Sequence, residues 1–485
     1  MKTNFMSPKG RRAPPRSFAA VLFLPQAGGS ANLRPMTSAQ ASPSFSFLHA
    51  ADLHLDSPLR GLSTYPGAPA DRLREATRDA FTALVDAALA YEVRFVILAG
   101  DLFDGEWQDY NSGLWFLSEL RRLTAVDIPV FVIRGNHDAE SKVASRLSWP
   151  DGVTEFRSNK AHTVVLKDLG VAIHGQSYGE PHVMENLALG YPDAKPDCLN
   201  IGVLHSGLEG YEGHGVYAPC TLDDLRAKGY DYWALGHIHQ RMVLSENPWV
   251  VFPGNIQGRH VRETGPKGAT IVHVEDGAVA RLEPITVDVA RWAVLDIDLT
   301  GMTAELEALR RLDTELRQAV LAAGDRQLAV RVVLRGSTTL DPVLRTEPHR
   351  LTQEIRARAS AVSDDLWIEQ LKVRTALPED GAAGDDSDDA LTAFAARLHG
   401  TDLPADVLDG LARELQKLSA KLPPTVRERV DPASPSVLRD ALPEAREFLT
   451  ALLRSNDGAS KAVSAAGSGR GSEGKSEGHS AEDDA

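Results

Sequence analysis

Five short motifs in this chain carry side chains of the types that can bind metal ions: Asp52-Leu53-His54, Gly100-Asp101-Leu102-Phe103-Asp104, Gly135-Asn136-His137-Asp138, a single His205, and Gly236-His237-Ile238-His239. Asp, Asn and His together, without Cys, suit a borderline-hard divalent ion such as Mn, Fe or Zn. In an extended strand or turn, residues two apart point the same way, so Asp52/His54 and His237/His239 can each converge on one centre. Asp52, His54, Asp101, Asn136, His205, His237 and His239 are too many ligands for one ion and about right for two. Asp101 is central among them and free to bridge.

Each motif sits where a buried strand would deliver it. Arg94-Phe95-Val96-Ile97-Leu98-Ala99 precedes Asp101, Phe45–Ala51 precedes Asp52, and Val130–Arg134 precedes Asn136. Ile201–Leu204 ends at His205, and Tyr232–Leu235 precedes His237. Runs of this composition read as strands, and ligands bind at the C-terminal edge of such sheets. A helical stripe over Asp71–Glu92 (Leu73, Ala76, Ala80, Leu84, Ala87, Ala88) supplies the crossover that parallel strands need. Leu114, Leu117, Leu120 and Leu123 mark a second helix. Beyond Pro253-Gly254-Asn255, Thr270–Val274 and the turn at Glu275-Asp276-Gly277 predict hairpins closing a second sheet. Residues 45–290 therefore read as a layered α/β domain.

With these residues in this order, the chain resembles the calcineurin-like metallophosphoesterases. Ala51–Pro58 and Phe252-Pro253-Gly254-Asn255-Ile256-Gln257-Gly258-Arg259-His260 resemble the DNA-repair exonuclease branch, which includes the nuclease subunit of the SbcCD complex. Any one motif is weak, whereas five in register after predicted strands are specific. The resemblance implies a two-sheet sandwich flanked by helices and a pair of divalent ions, Mn foremost. Asp52, His54 and His239 would hold one ion, Asn136, His205 and His237 the other, with Asp101 bridging. Two such ions lower the pKa of a shared water and clamp phosphate oxygens, and the hydroxide attacks phosphorus in line. His137 would act as general acid. Arg259, His260 and Arg262 are the candidates for touching substrate phosphate. The implied activity is a DNA exo- or endonuclease in repair, with DNA and a coiled-coil ATPase as partners and a homodimer as an option. The alternative is a hydrolase of small phosphodiesters or phosphomonoesters on the same metals.

Each assignment has a plainer rival. Asp104 reads as a supporting or capping residue, and His205 alone would pass for a satisfied core histidine. Gly469–Ser476 fits the phosphate-loop pattern, but it lies in a Ser/Gly/Glu tail without the strand and helix that loop needs.

Outside the first domain, residues 291–376 alternate as a smaller α/β unit, which the resemblance assigns to capping the site. Residues 377–395 read as an acidic linker. Residues 396–454 read as a helical segment, with Leu408, Leu411, Leu415, Leu418 and Leu422 in heptad-like steps and a second helix over Val437–Leu453. Residues 455–485 form a disordered tail. Residues 1–44, with six Lys/Arg and no Asp or Glu, read as a disordered extension or a misassigned start ahead of Met36.

Two cysteines, Cys198 and Cys220, exclude a disulfide framework and point to a reducing, cytoplasmic location. No apolar run reaches membrane-span length. The net charge of −15 argues against strong DNA affinity for the chain alone, unless Arg241, Arg259, Arg262 and Lys267 cluster locally.

Overall fold

The computed structural model describes residues 44–57, 70–104, 110–140, 148–208, 217–378 and 405–421, with short stretches between 433 and 452. The extension before residue 44, nearly all of the linker, Leu422 and the phosphate-loop look-alike lie outside the described residues, and the described part of 437–452 is helical.

Two six-stranded sheets and one three-stranded sheet make up the architecture. In the first sheet, β1 (Phe45–Ala50), β2 (Val96–Ala99), β3 (Val130–Ile133) and β4 (Val153–Glu155) run parallel. The second sheet comprises β5 (His162–Leu166), β6 (Val171–Gly175), β7 (Leu199–His205), β8 (Tyr232–Gly236), β9 (Met242–Glu246) and β10 (Trp249–Phe252). In it β6, β7, β8 and β10 are parallel, and the edge strands β5 and β9 are antiparallel. The hairpin of β11 (Gly268–Glu275) and β12 (Ala278–Thr286) pairs onto β1. It therefore extends the first sheet, where the sequence reading placed it in the second. The hairpin itself forms as expected, with Asp276 and Gly277 both at positive φ, as a tight two-residue turn requires.

The strands are apolar on both faces because both faces are covered. Phe47, Phe95, Ile97, Phe131 and Ile133 point into the space between the large sheets, against Val171, Ile173, Ile201, Val203 and Tyr232. Their alternates, Leu48, Val96, Leu98, Val130 and Val132, meet α1 (Ala70–Ala90) and α2 (Tyr110–Thr124). Helix α1 buries Leu73, Ala76, Ala80, Phe81, Leu84, Val85 and Ala88. It ends two residues earlier than the sequence reading, with Glu92 at φ 50° just beyond it. Helix α2 buries Phe116, Leu117, Leu120 and Leu123, but Leu114 is 56% exposed. A three-residue spacing falls about 60° short of a full turn at each step, so the first leucine of that row leaves the buried face. Phe81 is fully buried with its ring 5.0 Å from Phe116. Phe81→Ala should lower unfolding free energy by about 3–5 kcal/mol, read from urea denaturation.

The short helix α3 (Asn136–Glu140) follows β3, and α4 (Leu222–Ala227) opens on a capping box between Thr221 and Asp224. The third sheet is parallel: β13 (Ala290–Asp298), β14 (Gln327–Ser337) and β15 (Leu366–Ala376). It packs on α5 (Glu305–Ala323), α6 (Asp341–Thr346) and α7 (Pro348–Val362) through Leu312, Leu316, Val330, Leu351 and Ile355. Trp292 and Trp367 of this unit join Leu73, Ala76 and Val261 in one apolar cluster, which fixes it to the first domain. A further helix, Ala405–Ser419, follows. Among the described residues no helix is long and apolar enough to cross a membrane.

Candidate metal centre

The candidate ligands stand at the ends of five strands. Asp52 and His54 follow β1, Asp101 follows β2, Asn136 follows β3, His205 is the last residue of β7, and His237 and His239 follow β8. The β1 and β2 segments stay paired past their strand ends. Asp52 N donates to Gly100 O, His54 N to Asp101 O and Leu55 N to Leu102 O, all at 2.9–3.0 Å. This pairing holds three ligands in fixed register.

Tertiary packing overrides local backbone preference here. Asp52 (φ 53°), His54 (φ 43°), Asp101 (φ 52°) and His237 (φ 107°) all sit in the positive-φ region that L side chains adopt rarely. The adjoining glycines leave room for the ligands. A Cβ on Gly100 would lie 2.6 Å from His205 Nδ1, and one on Gly135 would collide with the Asp101 carboxylate.

All seven side chains meet. His54 Nε2 lies 3.1 Å from His239 Nε2, and His239 Nε2 lies 3.9 Å from Asp52 Oδ1. Asp101 Oδ2 is 3.3 Å from His205 Nε2 and 3.9 Å from His54 Nε2. His205 Nε2 is 3.2 Å from Asn136 Oδ1. The trio Asp52, His54 and His239, and the trio Asp101, His205 and His237, each bring their donor atoms within 4.8 Å of one another. His54, Asp104 and His137 form a third such group.

The donor set fits cations. His54 Nδ1 faces Asp104 Oδ1 at 2.6 Å, and His239 Nδ1 faces Glu263 Oε1 at 2.7 Å. Each carboxylate calls for a proton on that nitrogen. Both Nε2 atoms then present lone pairs, and these lone pairs confront one another at 3.1 Å. A shared cation removes that repulsion, and backing each ligand imidazole with a carboxylate or carbonyl is how metal histidines are oriented. His205 follows the same plan, with Nδ1 donating to Ala99 O at 2.9 Å.

Burial, then the positive Arg259, lowers the His54 pKa to about 3, which keeps the ring neutral. Burial is the largest influence on His205 and works downward, but Asp101 and Asp52 outweigh it and raise the imidazole to about 9. Burial pushes Asp101 upward, and is outweighed by His205, His54 and His137, so its carboxyl lies below the usual range. A cation at this site competes with the His205 proton, so metal uptake near pH 8 should release protons into weakly buffered solution. The His205 pKa is raised on folding, so its contribution is complete below about 6.5 and lost as pH climbs through about 9. The metal-free chain should therefore lose thermal stability across that window, and saturating Mn should flatten the slope in a melting series.

Three supporting residues surround the ligands. Asp138 accepts the backbone N–H groups of Leu102, Phe103 and Gly135, tying the Asp101 loop to the Asn136 loop. Burial, then Asp101, pushes its carboxyl up to about 7 against those three donors. Asp104 accepts from His54, as the sequence reading of it as a supporting residue anticipated. Glu263 accepts from His239, and neither it nor Asp138 was assigned a role from sequence. Asp138 is visible in principle as an acid in the first turn of a short helix, where it can reach back to a preceding amide. Glu263 offers no local signal beyond an i,i+4 spacing from Arg259.

His137 sits over this group with its side chain 41% exposed. Its Nδ1 is 3.6 Å from Asp104 Oδ1, and its backbone N–H donates to Asp101. His260 and Arg262 are exposed, whereas Arg259 points inward. Lys267 is buried and donates to His239 O, which removes it from the expected basic surface patch.

Residues 45–241 match the family model for calcineurin-like phosphoesterases, and residues 292–376 match the model for the middle domain of metallophosphoesterase YhaO. The "Uncharacterized metallophosphoesterase YhaO" of Bacillus subtilis is 36% identical over 76% of this chain and 90% of its own length. The chain belongs to the calcineurin-like phosphoesterase family. It is homologous to YhaO and, more distantly, to the "DNA double-strand break repair protein Mre11" of Sulfurisphaera tokodaii, 26% identical over 54% of this chain and 68% of that protein. Among solved structures, a dimetal phosphatase from Danio rerio matches with 13% identity and a TM-score of 0.30, over 51% of this chain and all of the other. For a calcineurin-like phosphoesterase, the two trios and Asn136 are the residues available to a pair of metal ions.

Proposed function

We propose that this chain is a dinuclear-metal phosphodiesterase acting on DNA, as an exo- or endonuclease in repair, in the cytoplasm. The observation that carries the reading is the meeting of seven Asp, Asn and His side chains from five strand ends, with three of the imidazoles backed through Nδ1. Asp52, His54 and His239 would hold one ion, and Asn136, His205 and His237 the other, with Asp101 between them. When bound, such a pair supplies an acidified water and neutralises charge on a phosphate.

The chain's own groups do the remaining work. His137 stands outside the ligand set with its ring open to solvent, suited to give a proton to the leaving 3′ oxygen. Asp104 Oδ1 lies 3.6 Å from the His137 Nδ1, beyond hydrogen-bond distance. His260 and Arg262 are exposed and would be the residues to meet a phosphate backbone. The 291–376 unit would cap the site, and the helical segment from 396 would dock a coiled-coil ATPase. The DNA assignment draws on the relatives named as double-strand break repair proteins.

The net charge of −15 favours a second reading, hydrolysis of small phosphodiesters or phosphomonoesters on the same centre. One assay separates them: the full chain with Mn, offered radiolabelled single- and double-stranded DNA and a generic aryl phosphodiester. Cleavage of both substrates is expected. Aryl ester hydrolysis without DNA cleavage, with or without an ATPase partner, would select the second reading.

A further inference from the structure

Arg259 reads from sequence as a contact for substrate phosphate, but its guanidinium is turned away from solvent and engaged on both sides. Nη1 lies 3.4 Å from Asp104 Oδ1, and Nη2 lies 3.3 Å from Glu263 Oε1. Those are the carboxylate oxygens that hold His54 Nδ1 at 2.6 Å and His239 Nδ1 at 2.7 Å. With the two Nε2 atoms 3.1 Å apart, the five residues close a ring: His54, Asp104, Arg259, Glu263, His239. Nη2 also lies 3.3 Å from His239 Nδ1, a contact it cannot use as donor while that nitrogen gives its proton to Glu263 at the shorter distance.

We propose that Arg259 is a positioning residue for the metal pair: by tying together the two carboxylates that aim His54 and His239, it sets the spacing of their Nε2 atoms. The inference rests on the dinuclear-metal reading. Without the guanidinium, the two carboxylates would lose the one positive charge that both of them face. The contacts exceed 3.2 Å, so the tie acts as an ion pair more than as a pair of well-formed hydrogen bonds. A planar fork can lie between two acids, whereas a lysine, as a point charge, can serve only one of them well.

The surrounding contacts hold the Arg259 backbone in place. Glu263 Oε2 accepts the Arg259 backbone N–H at 2.7 Å and Asn255 Nδ2 at 3.0 Å. Gly258 O accepts Trp292 Nε1 at 3.0 Å, and Gln257 Oε1 accepts the backbone N–H groups of Val289 and Ala290. The loop is thus fastened to the start of the small parallel sheet. His260 and Arg262, exposed on the same loop, are left to meet substrate.

The test uses cobalt(II) as probe on the full chain, titrated calorimetrically and by visible absorption, with Arg259→Gln and Arg259→Lys beside wild type. Wild type should take up two ions. In Arg259→Gln one of the two affinities should fall about 10–100-fold, the usual cost of losing a group that orients a ligand. The cobalt band should shift with it, and KM for an aryl phosphodiester at saturating Mn should stay unchanged. Arg259→Lys should fall between the two, and it serves as the probe if the glutamine variant does not fold. Wild-type cobalt affinities and spectrum in both variants, with a raised KM, would overturn the proposal and make Arg259 a substrate anchor. A wild-type chain that binds no cobalt would remove the metal reading itself, and this proposal with it.

Discussion

Asp101→Asn should cost the protein bound metal and lower phosphodiester turnover by at least about 10³-fold. Asp101 Oδ2 lies within 4 Å of both His205 and His54, one from each trio, so its carboxylate is placed to serve two ions at once. Asparagine preserves the shape, and its oxygen can still accept the His137 backbone N–H that Asp101 Oδ1 accepts at 3.0 Å. What it removes is the negative charge that two ions, held as proposed, would share. The loss should therefore appear in metal content after gel filtration, with the circular dichroism spectrum unchanged. A variant that retains two ions per chain and wild-type turnover would rule out a bridging role.

His137→Ala should lower turnover by about 10²–10⁴-fold and leave metal content at the wild-type value. The ring stands 5.0 Å from that of His54 and touches Asp104 only at 3.6 Å, and the amide that steadies Asp101 belongs to the backbone and survives the change. Loss of activity with metals in place would identify a proton-transfer role, whereas loss of both would recast His137 as part of the ligand cage. A substrate whose leaving group is already acidic, such as p-nitrophenolate, should suffer less than a DNA 3′ oxygen, because it needs less help from an acid.

Much of this arrangement is legible in the sequence, for a local reason. An apolar run followed by Gly-Asp, Gly-Asn or Gly-His states both a strand and its end, and the sheet edge then gathers the ligands. The residues that escaped are those whose deciding partners lie far away in the chain. Asp138 crosses to the amides of Leu102 and Phe103, Glu263 reaches His239, and Arg259 turns inward to Asp104, none of which a sequence spacing encodes. The β11–β12 hairpin is legible as a hairpin, but its sheet depends on the open edge of β1, a property of the assembled fold. Leu114 shows the opposite limit: a regular leucine spacing that drifts off the helix face. Strands β5 and β6 went unread because the exposed, partly polar turn segments around them break the apolar signal.

The positive-φ residues set a condition on the whole molecule. Each strained peptide of this kind costs on the order of 1–3 kcal/mol, and four of them carry candidate donor atoms. Glycine would relax the chain at each but delete the donor, so the sandwich must keep a surplus of cohesion in reserve at its rim. A lesion deep in the helical layer, far from any imidazole, would draw down that reserve first. Its earliest symptom would be a slackened grip on cations, in a protein whose sheets are still intact.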